Sequence, residues 1–406
     1  MPIYYVGIDV SKFKHTCCVL SQDGVVERPS FDFPNSKEGF GLLKKTMASL
    51  GPKEQILIGM EATGHYGLCL QKALWGEGYK LKVYNPLTIE RFRGSETVAG
   101  AKTDKLDALL IAKYMSSRPF SPTEAMDGAI SEIQSLERAK YFLFRDRTRC
   151  FNHLHRYLDV SFPELPRFLA TKGDGGRSSS RTDVFESKTA MALVGRCPSA
   201  AKAARLTKKD ADALRRMSMG RFSLVKSARL RELARSSIGS SDPATEAVIR
   251  SLVEQARCIG EQIDSTDAVL RPLMEGLNTP VLSIPGVGPG LGAMIVGEIG
   301  DAGRFGSPDK LVKFAGLDVK VYQSGTVDRR GRLGKKGSPI LRYALVCAAM
   351  KARIHSPTFA AYYAKKIAEG KYWMTAIVDC ARKLLRIVWK LMTTGEKFEE
   401  QGETAA

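Results

Sequence analysis

Residues 3–10 read IYYVGIDV, and residues 56–59 read ILIG and lead into Glu61. Both runs are dominated by β-branched, aromatic and aliphatic residues, as buried strands are. Each delivers a carboxylate, Asp9 or Glu61, where a regular element closes. Working outward, HTCCVLS (15–21) and VVERPSFDF (25–33) read as two further strands, joined through Gln22-Asp23-Gly24. Asp-Gly at such a place signals a hairpin. Asn35-Ser36 then caps a helix over about 37–50. A helix over 65–78 follows the fourth strand, and LKVYN (81–85) is a fifth strand stopped by Pro86. Thr103 is a fitting cap for a helix over about 104–117, with Asp104 in its first turn. Three strands, helix, strand, helix, strand, helix is the order of an α/β RNase H-like domain, placed here at residues 1–122.

That order gives four carboxylates a common address. Asp9 lies on the first strand and Glu61 at the end of the fourth. Asp104 and Asp107 in KTDKLDA are three apart, on one helix face. The chain carries 62 Lys and Arg against 43 Asp and Glu, a formal net charge of +19. Such a balance favours a polyanionic partner. An acidic cluster repels phosphate unless divalent cations fill it, and Mg²⁺ is held by a few carboxylates together with substrate phosphate oxygens. Paired cations are a standard device for phosphodiester chemistry. The residues therefore point to a metal-dependent enzyme acting on DNA or RNA.

The eight cysteines, at 17, 18, 69, 150, 197, 258, 347 and 380, form no C-x-x-C pair and read as reduced, mostly buried thiols. A zinc site is not expected, since His153 and His155 are two apart on a predicted helix and point to different faces. Neither a signal peptide nor a transmembrane run is evident. The expectation is a cytoplasmic, nucleoid-associated protein with no membrane partner.

Residues 128–160 and about 244–272 are long, charged helical stretches within a middle region, 123–275. They predict an antiparallel, coiled-coil pair that protrudes and mediates self-association. Between them, 161–243 reads as an inserted helical segment that starts in a Gly/Ser/Arg loop (KGDGGRSSSRTD). A mainly α C-terminal domain is placed at 276–396. It opens with LSIPGVGPGLGAMIVGEIG (282–300). PGVG before a helix fits a DNA-backbone-binding helix-hairpin-helix, with Gly286, Gly288 and Gly290 exposing backbone N–H groups to phosphate. Plain helix packing and a loose dinucleotide fingerprint through Gly288, Gly290 and Ala293 are rival readings. The fingerprint lacks a following strand with a ribose-binding acid. Further on, Arg329, Arg330, Arg332, Lys335 and Lys336 are interleaved with glycines, which reads as a flexible basic loop clamping phosphate. Ser324, beside Gly325, is by local sequence a turn residue. Residues 397–406 look like a frayed acidic tail.

Taken together, GIDVSK (7–12), MEATGHY (60–66), YNP (84–86) and KTDKLDA (102–108), followed by IPGVG (284–288), FAGL (314–317), YQSG (322–325) and KGSPILR (336–342), resemble the DEDD-type insertion-sequence transposases, relatives of the Piv/MooV DNA invertases. The resemblance implies a RuvC-like domain, a coiled coil and a C-terminal transposase domain. It implies Asp9, Glu61, Asp104 and Asp107 as a metal-binding tetrad for Mg²⁺ (Mn²⁺ satisfies the same oxygen ligands), and Ser324 as a nucleophile forming a phosphoserine link. It further implies a structured guide RNA that pairs with donor and target DNA, and a homo-oligomer, dimer or tetramer. The chain departs from the family in two places. Gly334 stands where the basic loop often carries a serine, and the insertion at 161–243 looks longer than in compact members. A junction-resolving nuclease using activated water is the rival reading, and a non-enzymatic nucleic-acid scaffold a third.

Overall fold

The computed structural model describes residues 2–62, 64–96, 103–170, 183–324, 327–334 and 337–400. It resolves into two compact units, Met1–Met126 and Asp127–Ala406. The KGDGG…RT stretch, Lys335, Lys336 and 401–406 lie outside the described residues.

In the first unit, β1 (Tyr4–Val10), β2 (Lys14–Ser21) and β3 (Val26–Pro34) form an antiparallel meander. Then come α1 (Lys37–Ala48), β4 (Ile56–Glu61), α2 (Leu68–Gly76), β5 (Lys80–Tyr84), α3 (Pro86–Glu96) and α4 (Asp104–Ser116). The sheet order is β3-β2-β1-β4-β5, with β4 and β5 parallel to β1. This mixed five-stranded sheet is the one expected of an RNase H-like domain. Ser36 and Thr103 cap α1 and α4 as their sequence context predicts, accepting from Gly39 and Leu106 N–H respectively. Helix α2 starts later than residue 65, after a turn with Gly64 at φ +55°.

Alternation along the strands assigns the two faces. Val6, Ile8 and Val10 of β1 and Ile56, Ile58 and Met60 of β4 share a core with Leu43, Met47, Leu70 and Leu74 of α1 and α2. On the other face, Tyr5 and Leu57 pack with Ile89, Leu110, Ile111 and Met115 of α3 and α4. Helix α4 lies flush on the sheet. A Cβ on Gly7 would meet the Ala108 carbonyl oxygen and the Ala112 nitrogen, and one on Gly59 would meet Met115 sulfur. Gly7→Ala is therefore expected to lower stability by about 1–3 kcal/mol through overpacking. Thermal unfolding reads this, with Gly41→Ala in open space on α1 as the control; equal melting temperatures for the two variants would refute the close-packing role.

In the second unit, α5 (Gly128–Ser161) and α11 (Pro243–Leu277) pair antiparallel. Ile133 packs with Leu270 and Met274, whereas Leu154 and Leu158, toward the other end of α5, pack with Ile249 and Ala256. The buried residues Ile249, Ala256, Ile263 and Leu270 recur every seven positions along α11, a spacing that keeps one stripe against a partner helix. The second long stretch, expected over about 244–272, extends further: α11 runs through Pro272 to Leu277 and ends where Asn278 turns left-handed at φ 42°. Between the long helices, α6 (Leu165–Ala170), α7 (Lys188–Arg196), α8 (Ala200–Ala204), α9 (Lys208–Met217) and α10 (Leu224–Arg235) share a core with the far end of the pair, through Phe162, Phe185, Leu193, Leu214 and Leu230.

The remaining elements are α12 (Pro289–Ile299), α13 (Pro308–Phe314), the antiparallel strands β6 (Val319–Ser324) and β7 (Val327–Leu333), α14 (Pro339–His355), α15 (Pro357–Ala368) and α16 (Trp373–Thr394). The helices enclose a core around Ile295, Leu311, Leu341, Leu345, Leu384 and Leu385. Two expectations are corrected here. Residues 327–333 of the supposed flexible basic loop form β7. The supposed frayed tail is docked at 398–400: Glu400 accepts from Ser356 Oγ (2.9 Å) and Thr358 N–H (3.1 Å), and Phe398 N–H donates to Ser283 Oγ (2.8 Å). Among the described residues, no helix is long and apolar enough to cross a membrane.

Candidate active site

Asp9 stands on the α4 side of the sheet, in phase with Tyr5 and Gly7. In β4, Glu61 is in phase with Leu57 and Gly59 and so shares that side. The parallel register pairs Ile8 with Met60, which makes Asp9 and Glu61 the next residues on adjacent strands. Helix α4 crosses this face at Gly7, and its first turn carries Asp104 and Asp107. The close approach allowed by the missing Cβ thus brings the helix carboxylates to the strand carboxylates.

The electrostatics of Asp9 report that convergence. Its carboxyl is pushed up to about 6, first by burial and then by the negative charges of Asp107, Asp104 and Glu61. Desolvation and like charge both disfavour the ionised form. All four residues singled out in the sequence therefore share one neighbourhood. Asp107 is buried, 7% exposed, and receives a hydrogen bond from Arg93 of α3. Across the sheet, Thr16 pairs with Asp9 and donates its hydroxyl to Asp32 at 2.7 Å. Lys14 holds Asp32 at 2.5 Å, and its hydrogen bond, followed by that of Thr16, lowers the Asp32 pKa. Asp32 is a fifth carboxylate nearby, already neutralised.

The donor set fits a hard divalent cation: every candidate ligand is a carboxylate oxygen, and like-charge repulsion on Asp9 is what a cation relieves. Among the described residues, no three His, Cys, Asp or Glu side chains are drawn around one point. Mg²⁺ does not require that, since it keeps several waters and takes one or two protein carboxylates with substrate phosphates.

The other sequence candidates lie in the second unit. Ser324 ends β6, paired with Val327 at the tip of the hairpin. Arg329, Arg330 and Arg332 lie on β7, with Arg329 opposite Tyr322 and Arg330 opposite Val321. Gly286 has φ +85°, and a Cβ there would press on the backbone of α14 at Lys351–Ala352. This glycine is required by packing. Gly288 is the N-cap of α12 and faces open space, and the nearest atom to a Cβ on Gly290 is Lys140 Nζ. Sequence reading missed α3 and with it Arg93. The available signal was Asn85-Pro86: proline suits the first helical position, and the Asn85 side chain accepts from Leu87 N–H at 2.9 Å.

Residues 6–163 match a transposase family described as DEDD_Tnp_IS110, and residues 278–364 match the transposase IS116/IS110/IS902 family. The chain belongs to the IS110/IS116 family of transposases. Similar proteins include the mini-circle putative transposase for IS117 of Streptomyces coelicolor, 27% identical over 98% of this chain and 95% of that protein. The IS900 uncharacterized 42 kDa protein of Mycobacterium paratuberculosis is 24% identical over 99% and 98%. The pilin gene-inverting protein of Moraxella bovis is 22% identical over 98% of each chain. This transposase acts on DNA, and its DEDD domain implies dependence on a divalent metal.

Proposed function

We propose that this transposase cuts and rejoins DNA through the hydroxyl of Ser324, assisted by Mg²⁺ or Mn²⁺ held by Asp9, Glu61, Asp104 and Asp107. The observation that carries the metal half is the charge on Asp9, which burial and three carboxylates disfavour. The serine half is supported by the position of Ser324 at a hairpin tip and by the resemblance of its YQSG motif to the family's. A bound divalent cation supplies charge neutralisation at the scissile phosphate. Ser324 Oγ forms a bond to phosphorus as one P–O ester bond breaks, and the hydroxyl proton ends on the displaced deoxyribose oxygen. Arg329 and Arg330 hold non-bridging oxygens, as guanidinium groups suit phosphate. The phosphoserine link keeps the ester energy, so a second DNA hydroxyl can reverse the step without ATP. The tetrad belongs to the first unit and Ser324 to the second, and the α5/α11 coiled coil is the element assigned to self-association as a dimer or tetramer. The structured guide RNA rests on the motif resemblance, and the helix-hairpin-helix role of residues 284–290 on PGVG standing directly before α12.

The test is a denaturing gel with end-labelled element DNA, flank-transcribed RNA and Mg²⁺. Label should migrate with the protein, vanish on protease treatment and be absent in Ser324→Ala, a drop of at least about 10³-fold for loss of a nucleophile. Nicked DNA carrying free 5′-phosphate, made equally well by Ser324→Ala, would establish a nuclease using water instead.

A further inference from the structure

Arg93 sits on α3, and its Nη2 donates to Oδ1 of Asp107. Both side chains are largely withdrawn from water, 22% and 10% exposed. Asp107 lies in the first turn of α4, the helix that packs on β1 at Gly7. Helix α3 also packs on α4 through Ile89 and Phe92 beside Leu110, Ile111 and Tyr114, so the guanidinium is carried by a fixed element. The pairing therefore engages a tetrad carboxylate on the helix that packs against the strand bearing Asp9.

We propose that Arg93 is a positioning residue of the tetrad: it takes Oδ1 of Asp107 and fixes that carboxylate, so that its Oδ2 would be presented to a divalent cation held by the tetrad. This rests on reading the tetrad as a cation site. A carboxylate held on one oxygen presents the other in a defined direction, whereas one without that partner rotates about its Cβ–Cγ bond. Partners of this kind are typically worth about 10–100-fold in metal affinity. A pure counter-charge would act with the opposite sign. If Arg93 only offset the negative cluster, removing it would expose the ion to four uncompensated carboxylates and tighten binding. The direction of the change distinguishes the two roles.

The experiment is calorimetric titration of Mn²⁺ alone into the full-length wild type, Arg93→Gln and Arg93→Lys, with thermal unfolding in EDTA as the folding control. Arg93→Gln should bind Mn²⁺ about 10–100-fold more weakly. Arg93→Lys, which keeps an N–H donor, should recover part of the loss. Equal or tighter binding by a folded Arg93→Gln overturns the positioning role and leaves the cation site standing. If Arg93→Gln does not fold, Arg93→Lys decides: binding weaker than wild type supports the role, and wild-type affinity overturns it. A wild type that takes up no Mn²⁺ overturns the cation site itself and the positioning role with it.

Discussion

Asp9→Asn is expected to lower DNA cleavage by about 10³-fold or more, since losing a cation's charge stabilisation removes several kcal/mol from the transition state. The same substitution should make the protein more stable in EDTA. Asp9 is disfavoured as an anion by burial and by Asp107, Asp104 and Glu61. Asparagine keeps the shape and sheds the charge. The gain is on the order of 2 kcal/mol, the displacement of the carboxyl pKa discounted for the partial exposure of the site. Added Mg²⁺ should raise the melting temperature of the wild type, because a ligand that binds only the folded state stabilises it. The asparagine variant should respond much less. Single-turnover cleavage and paired melts in EDTA and Mg²⁺ read both halves. A variant that melts below the wild type in EDTA would show that the four carboxylates do not repel one another as the fold implies. Loss of activity with gain of stability separates a site held under strain from a residue that merely supports the sheet.

The sheet was legible because its strands obey period two and its turns use Asp-Gly, Asn-Ser and Thr at recognisable places. Asp9 could be placed on the first strand and Glu61 at the end of the fourth for that reason, and Asp104 and Asp107 on one helix face; that the two strands are neighbours is seen in the sheet order. What joins the two sets was less legible. Gly7 reads as one more small residue in a strand, and only the packing of α4 against it shows why a side chain is excluded there. Arg93 was hidden because α3 has a weak apolar stripe and its start at Asn85-Pro86 reads equally well as the end of β5. In the second unit, the glycine interleaving of 329–337 suggested a loop. Val319, Val321 and Val327, favourable strand residues, pair as a hairpin instead. The docking of Phe398 and Glu400 depends on Ser283, Ser356 and Thr358, far away in sequence, which composition does not reveal.

Lys140→Met should destabilise the fold at pH 8 by about 1–2 kcal/mol, because stripping one partner from a buried ion pair forces the carboxyl left behind to take up a proton well above its usual range. Along α5 the positions 133, 137, 140, 144, 147, 151, 154 and 158 alternate steps of four and three, the seam of a paired helix. Glu137 and Lys140 occupy two of these, 1% and 5% exposed, joined at 2.6 Å, with Asp267 of α11 on Lys140 at 2.7 Å. Burial pushes the Glu137 carboxyl up to about 7, although Lys140 pulls it back, and its Oε2 has no hydrogen-bond partner among the described residues. A carboxyl raised above its unfolded value of 4.5 costs nothing below that pH and progressively destabilises as pH rises through the folded value. Without Lys140 the folded value climbs further, so the deficit of the variant should be large at pH 8 and shrink toward pH 5. Chemical denaturation at the two pH values reads this, and a loss equal at both would show that Glu137 is not the group left stranded. Glu137→Leu combined with Lys140→Met should recover most of the loss, because a well-packed apolar pair commonly equals or exceeds a buried ion pair, and Asp267 is half exposed and keeps its water. The pair then contributes little to net stability. Its remaining value would lie in admitting only one register of α5 against α11, because a slipped pairing would leave Lys140 without Asp267.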